Sequence, residues 1–312
     1  MLLAKFRLCC VAGSLMALLG ATAQAEKTVR VFILAGQSNM QGHGRVEPDP
    51  KSDRTAGTLR WFVQQPERKE TAKLLVDSSG AWIERDDVQI WYLGRQGNLK
   101  AGYGVNEQMI GPELGFGMVV GEALSDPVLL IKLAWGGKSL AKDFRPPSAG
   151  GEVGPYYQDV VKLSLEVLRD GSKLFPQFAD CQFRLAGFGW HQGWNDRVNQ
   201  EFNAAYEENM THFIQDIRKD LGAEKLPFVI AETGMGDDGD THPRAVSLMK
   251  AQAAVAAREE FRGNVAFVST RAFYRKADVS PSKQGYHWNS NAESYFLIGE
   301  AMGQAMLKLL AD

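Results

Sequence analysis

The chain has 312 residues, 45% of them apolar, with 32 glycines and a formal net charge of −2. That suits an α/β domain with a sizeable core, and a mildly acidic chain without basic clusters argues against a nucleic-acid partner. Two of its three cysteines, Cys9 and Cys10, fall in the first ten residues, which leaves Cys181 alone and no internal disulfide.

Residues 1–25 read as a secretory signal peptide. Lys5 and Arg7 precede an apolar stretch over 8–20, and Ala23-Gln24-Ala25 is a small-x-small cleavage site. The expectation is a single domain over 26–312, exported to the periplasm or the medium and not membrane-bound after cleavage.

An apolar run over 29–35 predicts a strand buried on both faces. It ends at Gly36, and Gln37, Ser38 and Asn39 follow at once. Residues 45–110 are polar, with Trp61, Trp82 and a candidate strand over 88–93. We read them as a long excursion at the carboxyl edge of the sheet, where long loops often build binding sites. Gly111-Pro112 opens a helix over 113–124, with Glu113 suited to its positive end. A strand over 128–135 and a helix over 157–168 come next. A strand over 183–190 precedes a helical face made by Phe202, Tyr206, Met210, Phe213, Ile214, Ile217 and Leu221, closed by Gly222. A strand over 228–232 leads to Asp237-Asp238-Gly239-Asp240, a solvated turn whose spacing does not match a calcium loop. A helix over 243–261, a strand over 265–270 and a helix over 292–310 complete the chain. The last is preceded by the capping pattern Ser290-x-x-Glu293.

Strands alternating with helices predict an α/β fold. We expect a three-layer α/β/α sandwich around a central parallel sheet of about five strands, with the site where the strands end.

Four loops at that edge carry candidate chemistry. The first presents Ser38. The second is Trp135-Gly136-Gly137-Lys138-Ser139, in which paired glycines let a backbone N–H approach a ligand. It is not a nucleotide-binding loop, because the earlier glycine such a loop needs is Lys132. The third is Trp190-His191-Gln192-Gly193-Trp194-Asn195-Asp196, and the fourth Gln284-Gly285-Tyr286-His287-Trp288-Asn289. Of the five histidines, His212 lies within a helix and His242 at a helix start, so the loop histidines are the stronger candidates. Together the loops supply a nucleophile, oxyanion donors and a base, the parts for acyl transfer. No zinc-type spacing of Cys and His occurs, and neither a metal nor another cofactor is expected.

Gly36-Gln37-Ser38-Asn39-Met40, Gly136-Gly137, Trp190-His191-Gln192-Gly193 and the late His287 resemble the SGNH-hydrolase superfamily, and within it the sialate O-acetylesterase and carbohydrate esterase family six group. The resemblance covers the whole mature chain. It implies a flavodoxin-like sandwich and a serine esterase acting on O-acetylated sugars. In that reading Ser38 is the nucleophile, His287 the base, and Ser38, Gly137 and Gln192 the oxyanion hole. Two usual acids are absent: Gln284 stands three residues before His287, and Trp194 follows the His-Gln-Gly piece. Asp196 is then the candidate acid. Gln37, Asn39, His43, His191, Trp194 and Trp288 are candidate substrate contacts, whereas Trp135 and Trp190 read as packing. The alternatives are a sugar-binding protein on an esterase scaffold and a feruloyl-type esterase.

Overall fold

β1, Thr28–Gly36, is buried along almost its whole length. Phe32 and Leu34 point into one core, and Val31, Ile33 and Ala35 into another on the opposite face of the sheet. This two-residue alternation with both faces apolar is what a central parallel strand requires. A computed structural model describes residues 27–236 and 242–311. The expected signal peptide and the acidic turn Asp237-Asp238-Gly239-Asp240 lie outside those residues.

After β1 the chain runs α1 (Ser38–Gln41), β2 (Gly44–Arg45), α2 (Leu59–Phe62), α3 (Lys69–Leu75), β3 (Arg85–Tyr92), β4 (Arg95–Leu99) and β5 (Met109–Ile110). Then come α4 (Pro112–Ala123), β6 (Val128–Ala134), α5 (Pro155–Leu174), β7 (Gln182–His191), α6 (Trp194–Arg197), α7 (Gln200–Ala204) and α8 (Tyr206–Asp220). β8 (Phe228–Ala231), α9 (Pro243–Ala257), β9 (Val265–Val268) and α10 (Ala292–Ala311) finish it.

The sheet has seven strands in the order β4-β3-β6-β1-β7-β8-β9. All its neighbours pair in parallel except β3 and β4. The expected five strands are its centre and one flank. The candidate strand over 88–93 falls on the end of β3, and the correction is that the excursion returns to the sheet: β3 pairs with β6, and β4 folds back on β3 as a hairpin. Only β2 and β5 form a separate two-stranded ribbon. The helical face expected over 202–221 is also divided, with α7 ending at Ala204 and α8 starting at Tyr206.

One layer is α4 and α10, which contribute Leu114, Phe116, Val120, Phe296, Ile298 and Met302. The other is α5, α8 and α9, which contribute Tyr157, Val160, Met210, Phe213, Ile214 and Leu248. Each such fully buried Phe, Ile or Leu contributes ~1.5–3 kcal/mol against exposure. From β1 the chain moves to one side through β3 and β6, then to the other through β7, β8 and β9. The crevice outside the carboxyl end of β1 is where such a sheet takes its ligands, and Ser38 follows β1 at that end.

Candidate active site

The loop that carries Ser38 is shaped by one close approach. Gly36 has φ +156°, and a Cβ there would lie 2.2 Å from the carbonyl oxygen of His191. Only glycine lets β1 pass that close to β7 as it ends. Gln37 then donates its N–H to the same carbonyl at 3.3 Å, and α1 begins at Ser38. At the first helical position the Ser38 N–H has no acceptor within the helix. Ser38 is 8% exposed, and its hydroxyl makes no hydrogen bond among the described residues. The loop after β6 closes against it, since a Cβ on Gly136 would lie 3.9 Å from Ser38 Cβ.

Asn39 ties this helix to the loop of His287. Its side-chain amide donates to the carbonyl of Tyr286 at 3.1 Å and approaches Met235 Sδ at 3.2 Å, and its oxygen accepts the Tyr295 hydroxyl at 2.8 Å. The backbone around His287 is strained. Trp288, Asn289 and Ser290 all lie in the left-handed region, at φ 50°, 53° and 57°. Three such non-glycine residues in sequence persist only where surrounding bonds fix them. Asn289 donates to Tyr274 Oη and to the Arg275 carbonyl at 3.0 and 2.9 Å, and Ser290 Oγ bonds Ser282 Oγ at 3.1 Å.

Burial lowers the pKa of His287. Its Nδ1 is buried with no hydrogen-bond partner, and its ring lies flat on that of His43, centroids 3.8 Å apart and planes at 8°.

Asp196 does not orient this histidine. Its carboxylate is fully buried elsewhere, accepting the N–H groups of Leu140 and Ala141 at 2.8 and 2.9 Å and the Gln192 amide at 2.5 Å. Burial raises its pKa to about 6, against the pull of those three donors. Its place is that of an anchor for the loop after β6. Gln284 does not fill the gap either. Its backbone carbonyl accepts the N–H groups of His287 and Asn289, while its side chain is exposed.

Gln192 is corrected in the same way. Both amide hydrogens are engaged, by the Lys138 carbonyl at 3.0 Å and by Asp196, which leaves its oxygen buried and unpartnered. No hydrogen remains for an oxyanion. Asn195 is the residue the sequence reading missed: its amide reaches the Gly137 carbonyl at 2.7 Å with one N–H and keeps the other. Gly137 itself sits at φ +73°.

Several expected substrate contacts are scaffold instead. Gln37 is 2% exposed, and its amide bonds the backbone N–H of Gly193 and of Asn195 at 3.3 and 3.4 Å and the Asn195 side chain at 3.3 Å. Asn39 has the three partners given above. Trp288 is fully buried, its indole in the core beside α10. Trp194 stays partly exposed, near Tyr286 with ring centroids 6.0 Å apart and under Arg197 at 4.2 Å. Trp190 is core, packed on Phe144 and Phe213. Trp135 packs on Tyr156 at 5.0 Å.

His191 is 1% exposed, and neither ring nitrogen has a partner in hydrogen-bonding geometry. Burial lowers its pKa from 6.5 to about 4, opposed in part by the Glu232 carbonyl. An unfolded chain therefore binds a proton between these values that the folded chain refuses. Stability from this group is complete above pH 6.5 and is lost as pH falls toward 4, on the order of 3 kcal/mol at full depth. We expect urea midpoints to drop between pH 7 and 4.5, and the drop to be smaller in His191→Gln. Equal drops in the two proteins would assign the acid sensitivity to other groups.

Behind α1 lies a buried ion pair absent from the expected site. Lys132 and Glu113, both 0% exposed, meet at 2.6 Å. Lys132 Nζ also donates to the carbonyls of Gln41 and Tyr103, each at 2.7 Å, and Glu113 accepts the Gly111 N–H at 2.8 Å. Desolvation lowers Lys132 to about 8 in spite of its partner. The signal available in sequence was a lysine inside an apolar strand.

The family model described as "carbohydrate esterase, sialic acid-specific acetylesterase" matches residues 28–308. No curated protein sequence matches the chain. Among solved structures, a protein from Arabidopsis thaliana is similar at TM-score 0.60 and 20% identity, over 90% of this chain and 98% of that one. NanS is similar at TM-score 0.52 and 15% identity, over 90% of this chain and 97% of that one. At these identities the two likenesses speak to the fold.

Proposed function

We propose a serine–histidine mechanism without a carboxylate for this chain, which belongs to the sialic acid-specific acetylesterase family of carbohydrate esterases. It is a carboxylic ester hydrolase that removes O-acetyl groups from carbohydrates. In the proposed route Ser38 Oγ attacks the acetyl carbonyl carbon while His287 takes its proton. Negative charge gathers on the carbonyl oxygen. The N–H groups of Ser38 and Gly137 and the second amide hydrogen of Asn195 are the donors for it, each contributing ~3 kcal/mol to lowering the barrier. His287 returns the proton to the departing sugar hydroxyl, leaving acetyl-Ser38. Water activated by the same imidazole then releases acetate.

The observation that carries this reading is the Asn39 bridge. It fixes the residue after Ser38 to the residue before His287, so nucleophile and base are positioned by one side chain although they are far apart in sequence. The open flank of the site offers Trp194 and Tyr286, ring faces suited to the apolar side of a sugar. We assign O-acetylated sialic acid as the first substrate to try and acetylated xylan as the second. Neither the sugar-binding nor the feruloyl alternative is favoured by an observation.

Export is the matching proposal for location, resting on the signal-like residues 1–25. Among the described residues no helix is long and apolar enough to cross a membrane.

The test is acetate release from O-acetylated sialic acid, acetylated xylan and p-nitrophenyl acetate by the purified protein and by Ser38→Ala. We expect turnover by the first and a loss of at least about a thousandfold in the second. Equal rates in the two proteins would sink the assignment of Ser38.

A further inference from the structure

We propose that His43 is a positioning residue for the base: its imidazole, stacked flat on His287, fixes that ring and faces the positive charge it acquires, in the role a carboxylate would otherwise fill. The inference rests on the serine–histidine reading above.

The rings are in van der Waals contact, with centroids 3.8 Å apart and planes at 8°. Nδ1 of His287 and Nε2 of His43 are both buried without a hydrogen-bond partner. At those atoms nothing directional holds either ring, so each is held by the face of the other. A catalytic imidazole with no partner on its second nitrogen needs some other restraint to keep one orientation.

The backbone beneath His43 is clamped on both sides. A Cβ on Gly42 would lie 2.1 Å from Gly111 Cα, and one on Gly44 would lie 2.9 Å from Ala292 Cα and from a ring carbon of Tyr295. Tyr295 in turn donates to Asn39, which donates to the Tyr286 carbonyl. One chain of contacts therefore runs from the residue after His43 to the residue before His287, and both histidines are placed by the same frame.

Charge explains why the stacked partner is an imidazole that stays neutral. Lys132 from β6, held by Glu113 of α4, acts on it electrostatically, the His43 backbone bonds the phenol of Tyr295 from α10, and Tyr286 has its ring 4.5 Å from His287. Burial first, then His287 and Lys132, lowers the pKa of His43 to about 4. Above that pH His43 presents an uncharged π face. A cation against such a face is favoured, more so where water is excluded.

The test compares His43→Phe, His43→Leu and His43→Ala. Measured are kcat and KM for p-nitrophenyl acetate, the pH dependence of kcat/KM, and the His287 ring titration by NMR. Phe keeps a flat π face, Leu fills the space without one, and Ala empties it. We expect Ala and Leu to lower kcat about 10- to 30-fold with KM nearly constant, and Phe to stay within about threefold. In Leu, which keeps water out but offers no π face, the His287 midpoint falls below the wild-type value. Wild-type kcat and midpoint in Leu would overturn the proposal. So would Phe and Leu being equally impaired, a comparison that stands even if Ala fails to fold. The NMR titration needs no turnover, so a chain with the shifted midpoint and no esterase activity would refute the enzymatic reading separately from the stack.

Discussion

His287→Gln is expected to lower kcat for acetate release by about 10³ to 10⁴, and adding Ser38→Ala to it to cost almost nothing more, because the two act as one unit. Asp196→Asn is expected to fail differently. Its carboxylate meets three donors, from Leu140, Ala141 and Gln192. An asparagine turns one acceptor oxygen into a donor that must face another donor, leaving at least one of them unsatisfied at a cost of about 1–3 kcal/mol. The loop after β6 carries Gly137, so kcat should also fall, by the same factor at every pH. Urea denaturation and the pH profile of kcat/KM separate the two variants. A displaced acidic limb in Asp196→Asn would restore it as the acid of a triad.

Lys132→Met is expected to be among the most destabilising single substitutions in the protein, at about 3–5 kcal/mol, because it strands Glu113 as an uncompensated buried charge. Lys132 also holds the carbonyl of Gln41, the last residue of the helix that begins with Ser38, and that of Tyr103 in the excursion. Stability and catalysis therefore part company. The double variant Glu113→Leu/Lys132→Met removes both charges and should recover much of the stability. It should not recover kcat, since the Gln41 and Tyr103 carbonyls stay untied. Denaturation midpoints of the two singles and the double check this. Losses that simply add would show that the pair does not act as a pair.

The centre of the fold was legible because parallel strands buried on both faces leave continuous apolar runs. All five expected strands are in the sheet, and the final helix starts at Ala292 as expected. Its cap, however, is Asn291, which accepts the Ser294 N–H, while Ser290 bonds Ser282 and Glu293 pairs with Arg68 and Arg275. β3 and β4 were harder to read for the same reason in reverse. β3 opens on Arg85-Asp86-Asp87, and β4, with the sequence RQGNL, carries no apolar repeat. In the site, polar residues next to Ser38 suggest substrate contacts, and sequence does not separate a side chain that meets a sugar from one that ties two loops. Gln37 and Asn39 are of the second kind. Asp196 illustrates the same limit: its partners Leu140 and Ala141 lie 56 and 55 residues away, and only the fold brings them to its carboxylate. The stack of His43 on His287 has no sequence signature at all.

The hairpin of β3 and β4 has a consequence for solubility. Without it β6 would be the rim of the sheet, a wholly buried strand with a row of unpaired backbone groups, which is a template for joining another chain edge to edge. In its place the rim is β4, short and polar, with Arg95 within it and Lys100 just beyond it. Its Gln96 reaches across to the Leu174 carbonyl at the end of α5. The opposite rim, β9, is only four residues long. Trimming the excursion to simplify the enzyme would therefore trade a loop for an aggregation-prone border, and a minimal version of this esterase has to keep the hairpin even if its substrate never touches it.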